Sequence, residues 1–179
     1  MAHKIKISTC SLGGCFGCHM SILDIDEKLI ELAGVIEFTR TPLTDIKQIT
    51  QSDIGIIEGG VCNLENLEVL TEYRQKTKVL VAMGACAITG GLPAMRNQFS
   101  LKECLDESYV NGVGIINPHI PNDPEIPLLL DKVHPLHETV KIDYFLPGCP
   151  PAAESIWTFL QSLIKGEPVD YAYQQIHYD

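Results

Sequence analysis

The chain has 179 residues, a net charge of −10 and 45% hydrophobic residues. This length fits one domain, and a domain of this size buries about 70% of its unfolded surface without disulfides. The 13 Lys and Arg residues are scattered, which argues against binding to nucleic acid or to anionic membranes. No apolar run approaches the roughly 20 residues that span a bilayer, so we expect no membrane segment.

Cysteine usage indicates the compartment. Seven cysteines are an odd number, and the N-terminus MAHKIKISTC lacks the apolar stretch and cleavage site of a secretory signal. A reducing compartment disfavours disulfides. We therefore expect a cytoplasmic protein whose thiols are free, metal-ligating or catalytic.

The first forty residues predict a strand, a helix and a second strand. Alternating polar and apolar residues indicate a strand at Lys4–Thr9, followed by a glycine-rich loop. Apolar residues from Ile22 to Leu32 recur at spacings of three and four, which predicts one helix with Gly34 as its C-terminal cap. The second strand is predicted at Val35–Arg40.

The middle of the chain continues the alternation of strands and helices. Asp53–Gly60 reads as a third, more buried strand, and Asn63 is a suitable N-terminal cap for the helix that follows. The nearly continuous apolar run at Lys78–Cys86 predicts a fourth strand with both faces covered. A short helix is predicted at Leu101–Tyr109.

A proline-rich segment separates these elements from the last strand and helix. Residues 112–140 show no periodicity, and their prolines impose an extended path, which predicts an ordered excursion over the surface. Lys141–Cys149 reads as a fifth strand. Apolar spacing over 156–164 predicts an amphipathic helix, with Pro150 and Pro151 in its first turn.

Strands that alternate with helices predict an α/β fold. We expect a doubly wound parallel sheet of about five strands with helices on both faces, connected by right-handed crossovers. The strand order is expected to be flavodoxin-like, with a Rossmann-like order as the alternative. Residues 1–179 are expected to form a single domain, since no repeat or second domain is visible.

Six of the seven cysteines are predicted to meet at one edge of this sheet. In an open parallel sheet, ligands bind beyond the carboxyl ends of the strands. The six that follow or end a predicted strand are Cys10, Cys15, Cys18, Cys62, Cys86 and Cys149. Cys104 lies elsewhere and is interpreted as a small buried hydrophobe.

Four of the six make a complete ligand set for an iron–sulfur cubane. Cys15 and Cys18 have the C-x-x-C spacing that turns two sulfurs toward one site. Cys86 lies among small residues in GACAITGG, and Cys149 is held between prolines in PGCPP. Two of these thiols immediately precede helix N-termini, where the macrodipole lowers a thiol pKa.

The residues alone leave other interpretations open. Cys15 and Cys18 could form a redox-active dithiol, although such an enzyme has no need of Cys86 and Cys149. Four thiolates would also serve a structural zinc site in an assembly module. Cys10 and Cys62 are interpreted as structural.

Four motifs together resemble a known family. CFGCHMSILDID, IIEGGV, VAMGACAITGGLPA and YFLPGCPP are similar, in order and spacing, to the small subunit of nickel–iron hydrogenases, especially the cytoplasmic bidirectional, NAD-reducing type. The resemblance implies that Cys15, Cys18, Cys86 and Cys149 ligate one proximal [4Fe–4S] cluster. It places the nickel–iron centre on a separate large subunit.

The resemblance also implies further partners. Typical uptake-hydrogenase small subunits continue into a region with more clusters, whereas this chain ends about 30 residues after Cys149 and has no second cysteine set. Electrons are therefore expected to leave toward diaphorase subunits that carry FMN and further iron–sulfur clusters. We expect no FMN on this chain, because the ligand-bearing loop after the first strand occupies the place of a flavin phosphate loop.

The homologous subunit of respiratory complex I is the near alternative. That subunit carries adjacent cysteines at the first motif, whereas Phe16 and Gly17 separate Cys15 from Cys18 here. The spacing favours a hydrogenase.

Three further features are open to interpretation. Glu58, in IIEGG, is a candidate for a proton path or a bond to the large subunit, with a solvated strand-end residue as the alternative. His19 could bond to the cluster or the interface, but a polar residue at a helix start is favoured. The C-terminal tyrosines Tyr171, Tyr173 and Tyr178 suit an interface, and an ordinary tail is equally acceptable.

Overall fold

The computed structural model describes residues 4–169 and contains seven strands within them. They are β1 (Ile5–Ser11), β2 (Ile36–Arg40), β3 (Ser52–Glu58), β4 (Val61–Asn63), β5 (Thr77–Met83), β6 (Leu129–His134) and β7 (Tyr144–Leu146). Five of them form a parallel sheet in the order β2-β1-β3-β5-β7. This order confirms the predicted doubly wound, flavodoxin-like sheet.

Six α-helices connect or follow these strands. They are α1 (Gly17–Leu23), α2 (Lys28–Val35), α3 (Leu64–Lys76), α4 (Ala85–Thr89), α5 (Leu101–Tyr109) and α6 (Ala153–Lys165). Two short 3₁₀ helices, Leu92–Gln98 and Leu136–Glu138, complete the elements of the described residues. No helix within residues 4–169 is long and apolar enough to cross a membrane.

The period-two alternation of the central strands produces a core on each face of the sheet. On β5, Val81 and Met83 belong to one core, while Leu80 and Ala82 belong to the other. The first core includes residues of α1, α2 and α6; the second includes residues of α3 and α4. Helices therefore cover both faces, as predicted, and the buried strands of the sheet form a rigid base for the loops at its carboxyl edge.

Helix prediction succeeded where the caps are local. Asn63 caps α3, since its side chain accepts a hydrogen bond from the Asn66 N–H. The helix predicted at Leu101–Tyr109 is α5, and Ser100 and Glu103 form a capping box at its start. Helix α6 begins at Ala153, so Pro150 and Pro151 precede its first turn instead of lying in it.

The single helix predicted from Ile22 to Leu32 is wrong. The chain forms α1 and α2 instead, and between them Asp26 has a φ of 56°, in the left-handed region that interrupts a helix. Gly34 lies inside α2 and does not cap it, because β2 begins at Ile36 directly after the helix. Burial of Ile22, Ile25 and Leu32 explains why the periodicity continues across the break.

The proline-rich excursion contains structure that its sequence did not indicate. Strand β6 pairs antiparallel with β4 and forms a second sheet of two strands. Val133 and Leu136 are buried, so this part of the excursion packs against the protein core. The expectation of a purely extended surface path is wrong for this part, because its pairing partner lies about 70 residues earlier in the chain.

Several predicted strand ends also differ, and three of the differences change the place of a cysteine. Strand β1 continues through Cys10, which is buried in the sheet. Strand β5 ends at Met83, so Cys86 lies in α4. The last strand has only three residues, which leaves Cys149 in the following loop.

Candidate metal centre

The four cysteines proposed as ligands line one small pocket of about 60 Å³ at the carboxyl edge of the sheet. Its walls come from the loops after β1, β3, β5 and β7. The lining residues include Cys15, Cys18, Glu58, Cys86, Cys149 and the glycines at positions 14, 17, 59 and 148. The structure therefore brings together four thiols that are separated by as many as 134 positions in the sequence.

Cys15 and Cys18 are placed by the turn that opens α1. Cys15 precedes the helix, and Cys18 lies in its first turn. Phe16, between them, has a φ of 68°, in the left-handed region that non-glycine residues rarely adopt. The Gly17 N–H donates a hydrogen bond of 3.4 Å to the Cys15 sulfur. Both thiols thus depend on one strained turn.

Cys86 lies in the first turn of α4, directly opposite the first loop. Gly84, just before α4, has a φ of 86°, and a Cβ atom there would lie 2.4 Å from the Cys18 sulfur. Any larger residue would push the two loops apart. Glycine is therefore required for Cys18 and Cys86 to share a pocket.

Cys149 reaches the pocket from the loop between β7 and α6. The Ala85 N–H donates to the Gly148 carbonyl over 2.8 Å, and the Gly84 N–H donates to the Leu146 carbonyl over 2.8 Å. The Cys149–Pro150 peptide bond is cis. These hydrogen bonds join the loop that carries Cys149 to the loop that carries Cys86.

Burial raises the pKa of both half-buried thiols, Cys18 and Cys86. For Cys18 the negative charge of Glu58 adds to this increase, and Cys86 and Cys15 contribute less. Desolvation therefore opposes any lowering of these two pKa values by the helix N-termini beside them. Both thiols are therefore favoured in their protonated form at neutral pH.

Glu58 is buried at the end of β3, with an exposed fraction of 2%. One carboxylate oxygen, Oε2, accepts the Cys18 N–H over 3.0 Å, and Oε1 lies 2.8 Å from His19 Nδ1. Burial alone would raise the pKa of Glu58, but the hydrogen bond and charge of His19, with smaller contributions from Ser11 and Cys18, hold that pKa below its ordinary value. The carboxylate is therefore ionised, and both its oxygens have partners in the chain. Its role in a proton path or at an interface stays a prediction.

His19 is completely buried in a chain of hydrogen bonds, which sequence reasoning missed. Its Nε2 lies 2.9 Å from the Thr9 hydroxyl, which itself donates to Thr41 over 2.9 Å. Its ring stacks on Phe16 with centroids 4.8 Å apart. Local sequence could not show this, because Thr9 and Glu58 lie 10 and 39 positions away.

The other three cysteines do not line the pocket. Cys10 is buried in β1, Cys62 is half-buried in β4, and Cys104 is half-buried in α5. Their structural interpretation stays a prediction. The tyrosines Tyr171, Tyr173 and Tyr178 lie outside the described residues.

The donor set fits a cluster of several metal atoms. Within residues 4–169, no group of three or more His, Cys, Asp or Glu side chains is close enough to hold a single metal ion. A [4Fe–4S] cluster takes four Cys thiolates as its ligands. Four thiols from three loops, around a glycine-lined pocket, suit that requirement.

The family match covers most of the chain and the four cysteines of the pocket. Residues 15–163 match the family described as "NADH ubiquinone oxidoreductase, 20 Kd subunit". This range includes all four cysteines of the pocket and Glu58.

Two curated relatives of the chain are subunits of hydrogenases. The chain is 46% identical to the delta subunit of the NAD-reducing hydrogenase HoxS of Cupriavidus necator, over 98% of this chain and 86% of that subunit. It is 33% identical to the iron-sulfur subunit of the F420-non-reducing hydrogenase of Archaeoglobus profundus, over 90% of this chain. The chain spans 56% of the length of that second relative.

A solved structure has the same fold throughout. A chain in the crystal structure of an NAD+-reducing [NiFe]-hydrogenase in the H2-reduced state superposes with a TM-score of 0.97 at 53% identity. The match covers 99% of this chain and 100% of that one. The chain therefore belongs to the family of the NADH ubiquinone oxidoreductase 20-kDa subunit, together with the small, iron–sulfur subunits of nickel–iron hydrogenases.

Proposed function

We propose that this chain is the electron-transfer small subunit of a cytoplasmic, NAD-reducing nickel–iron hydrogenase. In this proposal Cys15, Cys18, Cys86 and Cys149 ligate one [4Fe–4S] cluster. The observation that carries it is the convergence of these four thiols on one pocket. The likeness to a hydrogenase subunit named for NAD reduction supports the choice of electron acceptor.

The residues of this chain would hold the cluster and control its surroundings. A bound [4Fe–4S] cluster supplies one-electron transfer at a potential that burial and N–H···S bonds adjust. The Gly17 N–H donates a hydrogen bond to the Cys15 sulfur. Gly84 allows the loop that carries Cys18 and the segment that carries Cys86 to approach each other. Glu58, which is buried, and Cys18, which is half-buried, line the pocket.

The open side of the pocket supports contact with partner subunits. Cys15 and Cys149 are exposed, and large apolar side chains near the site are exposed as well. Met20 on α1 is 48% exposed, and Leu92 and Met95, just after the Cys86 segment, are 77% and 56% exposed. A large subunit with the nickel–iron centre, and diaphorase subunits with FMN and further iron–sulfur clusters, are the partners that we propose.

The test is to purify the chain with its co-expressed partners under anaerobic conditions, and to measure iron, sulfide and zinc. We expect about four iron and four sulfide per copy of this chain beyond the content of the partners alone. Cys15→Ala should lose this increment and hydrogen-dependent NAD reduction. Cys104→Ala, a matched change outside the pocket, should keep both.

Other outcomes would identify the alternatives. Zinc without sulfide indicates a structural zinc module, and a metal-free reducible disulfide indicates a dithiol enzyme. An intact cluster in a complex that accepts electrons only from NADH, with no hydrogen activity, indicates the complex I-like subunit. Any of the three results contradicts the proposed function.

A further inference from the structure

Helix α1 lacks a local N-terminal cap. Phe16 occupies the cap position in the left-handed conformation, and its side chain makes no capping hydrogen bond. The nearby Cys15 sulfur accepts only the Gly17 N–H, over 3.4 Å. The helix has only seven residues, too few to be stable without tertiary contacts. The first-turn N–H groups, including that of Cys18, therefore need an acceptor from elsewhere in the fold.

Glu58 supplies that acceptor from a different part of the chain. Its Oε2 accepts the Cys18 N–H over 3.0 Å, although the two residues are 40 positions apart. Glu58 ends β3, where it is in register with Ser11 of the neighbouring strand β1. The cap is thus attached to the centre of the sheet and not to a loop.

His19 connects this cap to the turn between the two cysteines. Its Nδ1 lies 2.8 Å from Glu58 Oε1, and its ring is parallel to that of Phe16 within 5°. Thr9, in β1, holds the other ring nitrogen at 2.9 Å. The imidazole of His19 has a hydrogen-bond partner at each ring nitrogen and stacks on Phe16. It therefore supports the strained turn between Cys15 and Cys18.

We propose that Thr9, His19 and Glu58 are positioning residues that hold the Cys15–Cys18 loop in its ligand geometry before a metal binds. The inference deepens the proposed function and rests on it for the identity of the metal group. The three residues act through backbone and ring contacts, since none of their side chains supplies a thiol. Two adjacent strands of the sheet, β1 and β3, anchor the arrangement.

The first experiment measures the structure of the full-length chain without metal. Amide hydrogen exchange at Cys18, followed by NMR, reports directly on the hydrogen bond to Glu58. Glu58→Ala should accelerate exchange at Cys18 about tenfold, as expected for loss of a charged acceptor. Thr9→Val removes the contact of Thr9 with His19 Nε2, together with its hydrogen bond to Thr41, and keeps the Glu58 carboxylate. It should accelerate the same amide about threefold.

A carboxylate on another strand provides the matched control. Asp143 accepts the Leu80 N–H over 2.9 Å, outside the pocket. Asp143→Ala should accelerate exchange at Leu80 and leave Cys18 unchanged. Unchanged exchange at Cys18 in both pocket variants would overturn the proposal, and so would an equal acceleration at Leu80, which would indicate general destabilisation.

The second experiment uses the metal-loaded complex with its partners. Thr9→Val should release iron to a chelator about tenfold faster than the wild type, as for other residues that orient metal ligands. Its reduced cluster should give an altered electron paramagnetic resonance spectrum, which loss of general stability would not produce. Release and spectrum identical to the wild type would overturn the proposal.

The two experiments separate this inference from the proposed function. If the wild-type complex holds no iron and sulfide in this chain, the proposed function fails, while exchange at Cys18 still decides whether the three residues position the loop. If the wild type holds the cluster and both variants behave like it, only the positioning role fails.

Discussion

Asp143 joins the last strand of the sheet to its neighbours through one carboxylate. Its Oδ2 accepts hydrogen bonds from Arg74 on α3 over 2.6 Å and from the Leu80 N–H on β5 over 2.9 Å. Partial burial alone would raise the pKa of Asp143, but these two hydrogen bonds hold that pKa below its usual value. The ionised form is therefore favoured in the folded chain.

This arrangement predicts a pH-dependent cost for Asp143→Asn. Because the folded pKa lies below the unfolded value of about 3.9, the ionised carboxylate stabilises the fold above that value and loses its effect as pH falls through the folded pKa. At neutral pH the variant should lower the free energy of unfolding by about 1 kcal/mol. Urea unfolding across acidic pH should show this difference shrinking, and a difference independent of pH would contradict the prediction.

At the scale of single elements, α3 illustrates a helix start that is encoded locally. The Asn63 side chain accepts the Asn66 N–H over 2.8 Å, and the Asn66 side chain accepts the Cys62 N–H over 3.1 Å. These two hydrogen bonds satisfy two N–H groups within five residues of sequence. Such a start is visible without knowledge of the fold.

Replacement of that cap should have a measurable cost. Asn63→Ala is expected to lower the free energy of unfolding by about 1 kcal/mol, because it leaves the Asn66 N–H without its acceptor. Asn63→Ser retains a capping oxygen and should recover most of the loss. Chemical denaturation of the three proteins measures both effects, and equal destabilisation by Ser and Ala would refute the capping role.

Elements without local signals were the ones that prediction placed wrongly. The helix breaks between α1 and α2, where Asp26 has a positive φ. No glycine or proline marks this break in the sequence, and the apolar pattern continues across it. Strand β6 forms because His134 and Leu129 pair with Val61 and Asn63 of β4. The sequence around β6 does not contain this partner strand. Local periodicity cannot report a partner so distant in the chain.

At the scale of the whole molecule, a cluster at the proposed site would join the loops after β1, β5 and β7. Removal of iron and sulfide by a chelator should lower Tm by an amount on the order of 10 °C, because a tightly bound group stabilises only the folded chain. Calorimetry before and after chelation measures the shift. Cys15→Ala should show no such shift, and a Tm unaffected by chelation in the wild type would contradict a bound cluster.

The sequence by itself determined the α/β class, favoured the flavodoxin-like strand order and indicated the four cysteines that line the pocket. The class follows from local periodicity. The cysteines follow from the rule that the carboxyl ends of parallel strands share one edge, together with the local motifs around each of the four. Only the tertiary structure revealed the surroundings of those thiols: the close approach at Gly84, the burial that raises the pKa of Cys18, and the hydrogen bonds of His19 to Thr9 and Glu58. The physical reason is that desolvation and hydrogen bonding depend on residues that are neighbours in space but distant along the chain.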